Sequence, residues 1–116
     1  MPLIVRAFPL LAGKEEELMQ FARDLSGRSA EAAEFYATYG VTRESWHLQK
    51  TATGSLVIGV TELKEVEPAA SEYAASERPF DRWFKSQVHR LSGVDPDREP
   101  LGPPTEQIFD FCQGKS

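Results

Sequence analysis

The order in which apolar periodicities change along this chain constrains its fold more than any other feature. Leu3 to Leu10, Lys14 to Tyr39, Val41 to Thr51, Ser55 to Leu63, Pro68 to Leu91 and Glu106 to Cys112 read in turn as βαββαβ. Strand-like stretches repeat every second residue and helical ones at i, i+3, i+4 and i+7. Glu15, Glu16 and Glu17 put negative charge in the first turn of a helix, where the macrodipole favours it. Leu18, Phe21, Ala22 and Leu25 then fall on one helical face, Gly27 interrupts it, Ser29 can cap a restart, and Gly40 supplies the left-handed residue that ends a helix. Thr51-Ala52-Thr53-Gly54 predicts a short hairpin loop between the two middle strands. Pro68 suits a first helical turn, Ser76-Glu77-Arg78-Pro79 breaks and restarts the helix, and Phe80, Phe84, Val88 and Leu91 form the buried stripe of its last part, which Gly93 stops. Four of the eight prolines lie between Val94 and Thr105, an arm leading into the last strand-like segment.

This order predicts an α+β protein, a ferredoxin-like βαββαβ antiparallel sheet with helices on one face. The other face then needs a partner, a ligand or a polar surface. At 116 residues the chain is expected to form one domain with its own core, and 41% hydrophobic with 27% charged residues is the composition of a folded globular protein. A net charge of -5, with its 13 Lys and Arg scattered, argues against nucleic acid and against an anionic membrane surface. The start Met1-Pro2-Leu3-Ile4-Val5-Arg6 lacks the pattern of a secretory signal, so a cytoplasmic location is expected. Cys112 is the only cysteine, so neither an intramolecular disulfide nor a cysteine-built metal site is expected, and at the end of a strand it reads as a small hydrophobe.

Strand side chains alternate between faces, which divides the strands into two sets. Leu3, Val5, Ala7, Trp46, Leu48, Leu56, Ile58, Val60, Phe109 and Phe111 form an apolar set suited to lying beneath the helices. Ile4, Arg6, Phe8, Arg43, Ser45, His47, Val57, Gly59, Thr61, Ile108 and Asp110 form a mixed set for the helix-free face. On that division His47 is the candidate acid or base, Arg6 or Arg43 holds an anionic or carbonyl oxygen, Asp110 orients His47, and Phe8 lines the same cavity. Glu44 shares parity with Trp46, where an unpaired carboxylate beneath helices is costly. Either Glu44 sits at the exposed start of its strand, or the faces are inverted and Glu44 with Trp46 lines the site. His89 falls off the apolar stripe and reads as solvated, and no metal or cofactor is expected.

With these residues in place, the layout resembles the dimeric α+β barrel superfamily, in which two ferredoxin-like protomers pair their sheets around ligand cavities. Within it the chain is similar to a family without assigned activity that has a Gly-Lys lead-in to its first helix, here Gly13-Lys14, and a Ser-x-x-Pro-x-Asp segment, here Ser76 to Asp81. Arg82-Trp83-Phe84-Lys85 also looks like the Arg-Trp-Trp-Lys of rhamnose mutarotases, whose first-helix catalytic histidine is replaced here by Arg23 and Asp24. Antibiotic-biosynthesis-type monooxygenases share the layout and a cavity of aromatic and polar residues. The resemblance implies a homodimer joined through sheet faces and a small organic ligand. Two readings follow: a cofactor-independent oxygenase or isomerase, or a non-catalytic dimeric binding or structural module. A haem protein of this class would require His47 or His89 as axial ligand.

Overall fold

In the computed structural model, which describes residues 2–114, the elements are β1 (Leu3–Pro9), α1 (Glu15–Gly27), α2 (Ser29–Thr38), β2 (Val41–Thr51), β3 (Gly54–Leu63), α3 (Ala69–Ala75) and α4 (Pro79–Ser92). The three strands form an antiparallel sheet in the order β1-β3-β2. Only Ala52 and Thr53 separate β2 from β3, and Gly54 takes the positive φ of 137° that closes so short a loop. That loop fixes the register: Trp46 pairs with Gly59, and Gly59 pairs on its other side with Arg6. Near the far end of β2 a bulge at Thr42 inserts one residue, so that Val41 pairs with Leu63 while Arg43 pairs with Glu62.

The break expected near Gly27 separates α1 from α2, although no side chain caps the start of α2, and Ser29 is its first residue. Instead the Arg28 guanidinium lies over the rings of Trp83 and Phe80, 4.3 and 4.9 Å from their centroids, fastening the junction to α4. Phe21, Phe35, Trp46 and Phe84 join α1, α2, β2 and α4 through tilted and edge-on ring contacts 4.7 to 6.1 Å between centroids.

Two expectations are corrected. In β1 and β3 the faces are inverted: Phe8 and Val57 are buried among the helices, whereas Leu3 is 52% exposed. Both parity sets of β1 carry large apolar residues, and the bulk of Phe8 against Trp46, with ring centroids 5.9 Å apart, takes the core place instead of Val5 or Ala7. Trp46 and Leu48 of β2 do pack against the core, as expected.

The segment Glu106 to Cys112 is not a strand of this sheet. The chain touches the free edge of β1, where a fourth strand would lie, through one antiparallel bridge between Arg6 and Pro104 and a hydrogen bond of 2.9 Å from the Thr105 amide to the Val5 carbonyl. It then leaves the sheet. Phe109 and Phe111, expected beneath the helices, are exposed, and so is Cys112.

One buried ammonium holds the loops against this framework. Lys85 of α4 is only 5% exposed and donates to the carbonyls of Tyr73, Ala74 and Ser76 at 3.1, 3.1 and 2.8 Å, and its Nζ lies 2.7 Å from Asp97 Oδ1. The first three carbonyls belong to the end of α3, where cations satisfy groups that the helix leaves unpaired. One turn earlier on α4, buried Asp81 accepts from Tyr39 and, at 2.7 Å, from Ser76 Oγ. Replacing Lys85 by Met strands those carbonyls, so Lys85→Met is expected to lower the unfolding free energy by about 3 kcal/mol in urea titration. A loss below about 1 kcal/mol would show that water reaches the carbonyls instead.

Candidate functional site

The inner face of the sheet, α2, α3 and the proline-rich segment 96–101 border a half-open cavity of about 510 Å³. That lies within the ~300–1,000 Å³ typical of small-molecule sites. Its floor is one column of the sheet. Gly59 bears no side chain and leaves space between its neighbours Arg6 and Trp46, while Ile4, Thr61 and Glu44 continue the floor toward Val41. Tyr36 and Phe35 of α2 form a side wall with Tyr73 of α3, whose ring meets that of Phe35 edge-on at 6.0 Å between centroids, and Leu101 with Pro96 contributes to the roof.

Glu44 is the polar centre. Its Oε2 accepts from the Tyr36 hydroxyl at 2.7 Å and from the Trp46 indole N–H at 3.2 Å, and its Oε1 accepts from Thr61 Oγ1 at 2.9 Å. A carboxylate offers about four lone-pair directions. Three are taken, so one direction, on Oε1, has no side-chain donor among the described residues. The three donors come from α2, β2 and β3 and hold the carboxylate in a fixed orientation.

Arg6 lies at the opposite side of the floor. Its Nη1 donates to the Gly102 carbonyl at 2.6 Å, and burial lowers its pKa. Gly102 has φ 74°, and a Cβ there would lie 3.1 Å from the Ala7 carbonyl oxygen, so glycine lets the proline arm pass close over β1. Arg6 therefore anchors the roof as well as lining the cavity.

The candidates read from the sequence divide accordingly. Arg6, Phe8, Glu44 and Trp46 all line this cavity, which lies on the helix-covered face of the sheet and not on the helix-free face where the site was expected. His47 and Arg43 are exposed on the opposite side of the sheet, where His47 Nε2 lies 3.0 Å from Ser45 Oγ. Asp110 is exposed on the departing segment. The geometry does not bring His47, Arg43 and Asp110 to the cavity. It adds Tyr36, Tyr73 and Thr61, of which the tyrosines appeared in the sequence only as members of helical segments; a phenol on a buried stripe requires a polar partner, and that is the available signal.

Comparison with solved structures gives a fold match. The crystal structure of the L-rhamnose mutarotase of Formosa agariphila superposes with a TM-score of 0.67 over 96% of this chain and 99% of that one, at 14% sequence identity. The chain has the ferredoxin-like α+β fold. No family model and no curated protein matches it. Among the described residues, no helix is long and apolar enough to cross a membrane.

Burial first, then the Glu44 carboxylate, drives the Tyr36 phenol well above its ordinary value, and the same causes act on Tyr73. Burial and the hydrogen bond to Asp81 raise Tyr39. These are all three tyrosines of the chain. The native state thus keeps protons that the unfolded chain releases above about pH 10, and stability present below that pH falls as pH rises past it. Phenolate absorbance is expected to rise only together with loss of the helical circular-dichroism signal. A reversible rise near pH 10 with the helices intact would show solvated phenols.

Proposed function

We propose that the protein is an isomerase-type binder of a small, neutral, polyhydroxylated molecule, with Glu44 as its proton-transfer group. The observation that carries this reading is the Glu44 carboxylate, fixed by Tyr36, Trp46 and Thr61 with one acceptor direction left over a roomy, largely apolar floor. For a cyclic sugar hemiacetal the step is simple. Glu44 takes the proton of the anomeric hydroxyl, the bond between the anomeric carbon and the ring oxygen opens, and Glu44 returns the proton to the ring oxygen. The aldehyde rotates and closes on either face by the reverse steps. Trp46 offers the ring a face to lie against, and Phe8 with Ile4 keeps the floor dry.

Charge favours this class over the oxygenase reading. Glu44, Glu67, Asp97 and Glu99 line the cavity against Arg6 and Arg98, with Asp97 neutralised by Lys85. An oxygenase without cofactor must build an electron-rich anion from its substrate, and here that anion would lie among like charges. The fold match to a mutarotase points the same way at the level of fold only.

We also propose that two copies pair through the outer face of the sheet. Leu3, Val5, Leu56, Ile58 and Val60 share that face with no helix over it, and so much contiguous apolar surface is characteristic of an interaction site.

The test is anomer exchange by NMR with a panel of neutral aldoses. Wild type should accelerate exchange for at least one of them, and Glu44→Gln, which preserves shape, should lower that acceleration about 100-fold while the circular-dichroism spectrum is unchanged. An unaffected Glu44→Gln protein would remove Glu44 from the chemistry. Binding of a sugar with no acceleration by wild type would favour the non-catalytic module.

A further inference from the structure

Gly59 sits in the middle of β3, the central strand of the sheet, and neither the backbone nor the packing around it asks for glycine. Its φ is not positive, so an L-residue would stand there without left-handed strain. A Cβ added to it would meet one atom within 4 Å among the described residues, the Trp46 indole nitrogen at 4.0 Å, which is an ordinary contact. Gly54 and Gly102 differ, since both have positive φ, and a Cβ at Gly102 would crowd the Ala7 carbonyl oxygen. Glycine inside a strand weakens it, because it gives the unfolded chain more freedom and packs against nothing. Where it is kept, it marks a bulge or a place where another group comes close to the backbone. No bulge lies here: Gly59 pairs in register with Arg6 on one side and Trp46 on the other.

The surroundings say what comes close. Gly59 lines the cavity, with Thr61 beyond it on the same face of β3 and Arg6 and Trp46 to either side. Neighbouring strands lie about 4.8 Å apart, so the backbones of Arg6 and Trp46 stand about 10 Å apart with only a bare peptide between them. The Trp46 indole N–H is committed to Glu44, which holds the ring beside this gap and leaves its apolar surface to a ligand. Arg6 gives one N–H to the Gly102 carbonyl, and the rest of its fork has no hydrogen-bond partner among the described residues. The gap is thus bordered by a fixed apolar plate on one side and free donors on the other.

We infer that Gly59 is a specificity-determining residue of the cavity: its missing side chain lets the ring of a bound ligand rest on the β3 backbone, between the Trp46 indole and the Arg6 guanidinium. A guanidinium fork matches two neighbouring oxygens, so Arg6 takes a pair of adjacent hydroxyls on the far side of the ring from Trp46. The strand gives up stability at this position, and the cavity gains depth where the ring must enter. The inference rests on the reading of the cavity given above and adds the residue that decides whether a ring fits it.

The experiment measures two quantities on the full chain and on its Gly59→Ala and Gly59→Val variants: the melting temperature without ligand, and the dissociation constants of D-glucose, D-galactose, D-mannose and D-xylose by ligand-observed NMR. Wild type should bind at least one of these sugars. Gly59→Ala should weaken that binding about 10-fold, as one added methyl group does in a fitted pocket, and Gly59→Val should abolish it. Both variants should melt at or above the wild-type temperature, because alanine and valine suit a strand interior better than glycine does. A structural glycine would give the opposite pairing, so a Gly59→Ala protein that melts below wild type overturns the inference. Binding unchanged in both variants overturns it too, and so does a wild type that binds none of the four sugars. Anomer exchange scores the role of Glu44 separately. Binding that depends on Gly59 without any acceleration of exchange removes the isomerase and leaves Gly59 standing. Exchange lost in Glu44→Gln while the Gly59 variants bind as wild type does removes Gly59 and leaves Glu44.

Discussion

A single buried ammonium, that of Lys85, holds together the parts of this molecule that its sheet cannot reach. The strands and the three longer helices bury a continuous aromatic core without help. The short helix α3 and the proline-rich segment after α4 pack more thinly: α3 has seven residues and meets that core only through half-buried residues such as Ala69 and Tyr73. Lys85 satisfies three carbonyls at the end of α3 and pairs with Asp97, so one charge ties both pieces to α4. The cation is worth its desolvation because every proton it offers has an acceptor. Asp81 repeats the arrangement with opposite sign for Tyr39 and Ser76. A cavity roof made of thinly packed segments is thus fastened by a few strong polar contacts.

The two faces of the sheet differ in character. On the inner face, Gly59 opens space, Arg6 grips the arm at Gly102, and Glu44 gathers hydroxyl and indole donors from three elements. On the outer face, aliphatic residues of β1 and β3 stand beside the polar row Arg43, Ser45 and His47. The proposed site and the proposed pairing surface are therefore backed onto each other across one layer of backbone, and a change in one can alter strand positions felt by the other.

Much of this was legible in the sequence. The triple glutamate, Gly27, Gly40, the Thr51–Gly54 loop, the restart at Pro79 and the stop at Gly93 each marks a boundary that the structure keeps, because each is a local effect of backbone conformation or dipole. Which face of β1 and β3 meets the helices was not legible, since Leu3, Val5 and Ala7 on one side and Ile4 and Phe8 on the other are both apolar enough for a core. Pairing with Trp46 across Gly59 decides it, and that is a contact between distant parts of the chain. For the same reason His47 was the natural acid–base candidate by type, whereas Glu44 becomes one only when Tyr36 and Thr61 are brought to it. The last segment has a strand's composition, but composition does not reveal that the bridge at Pro104 meets β1 too near its beginning to leave room for pairing.

The Ala52-Thr53 loop carries a consequence for how such a protein can diversify. β3 is held on its other side by β1, so β2 is the strand free to slide. A one-residue insertion or deletion in the loop that moved β2 by one register step would turn the entire strand over. Arg43, Ser45 and His47 would then look into the cavity, and Glu44 and Trp46 would look out. A single indel at a surface turn thus separates an acidic cavity from a basic, imidazole-bearing one on the same scaffold, a change of reactive group that no point substitution within the strand would achieve in one step.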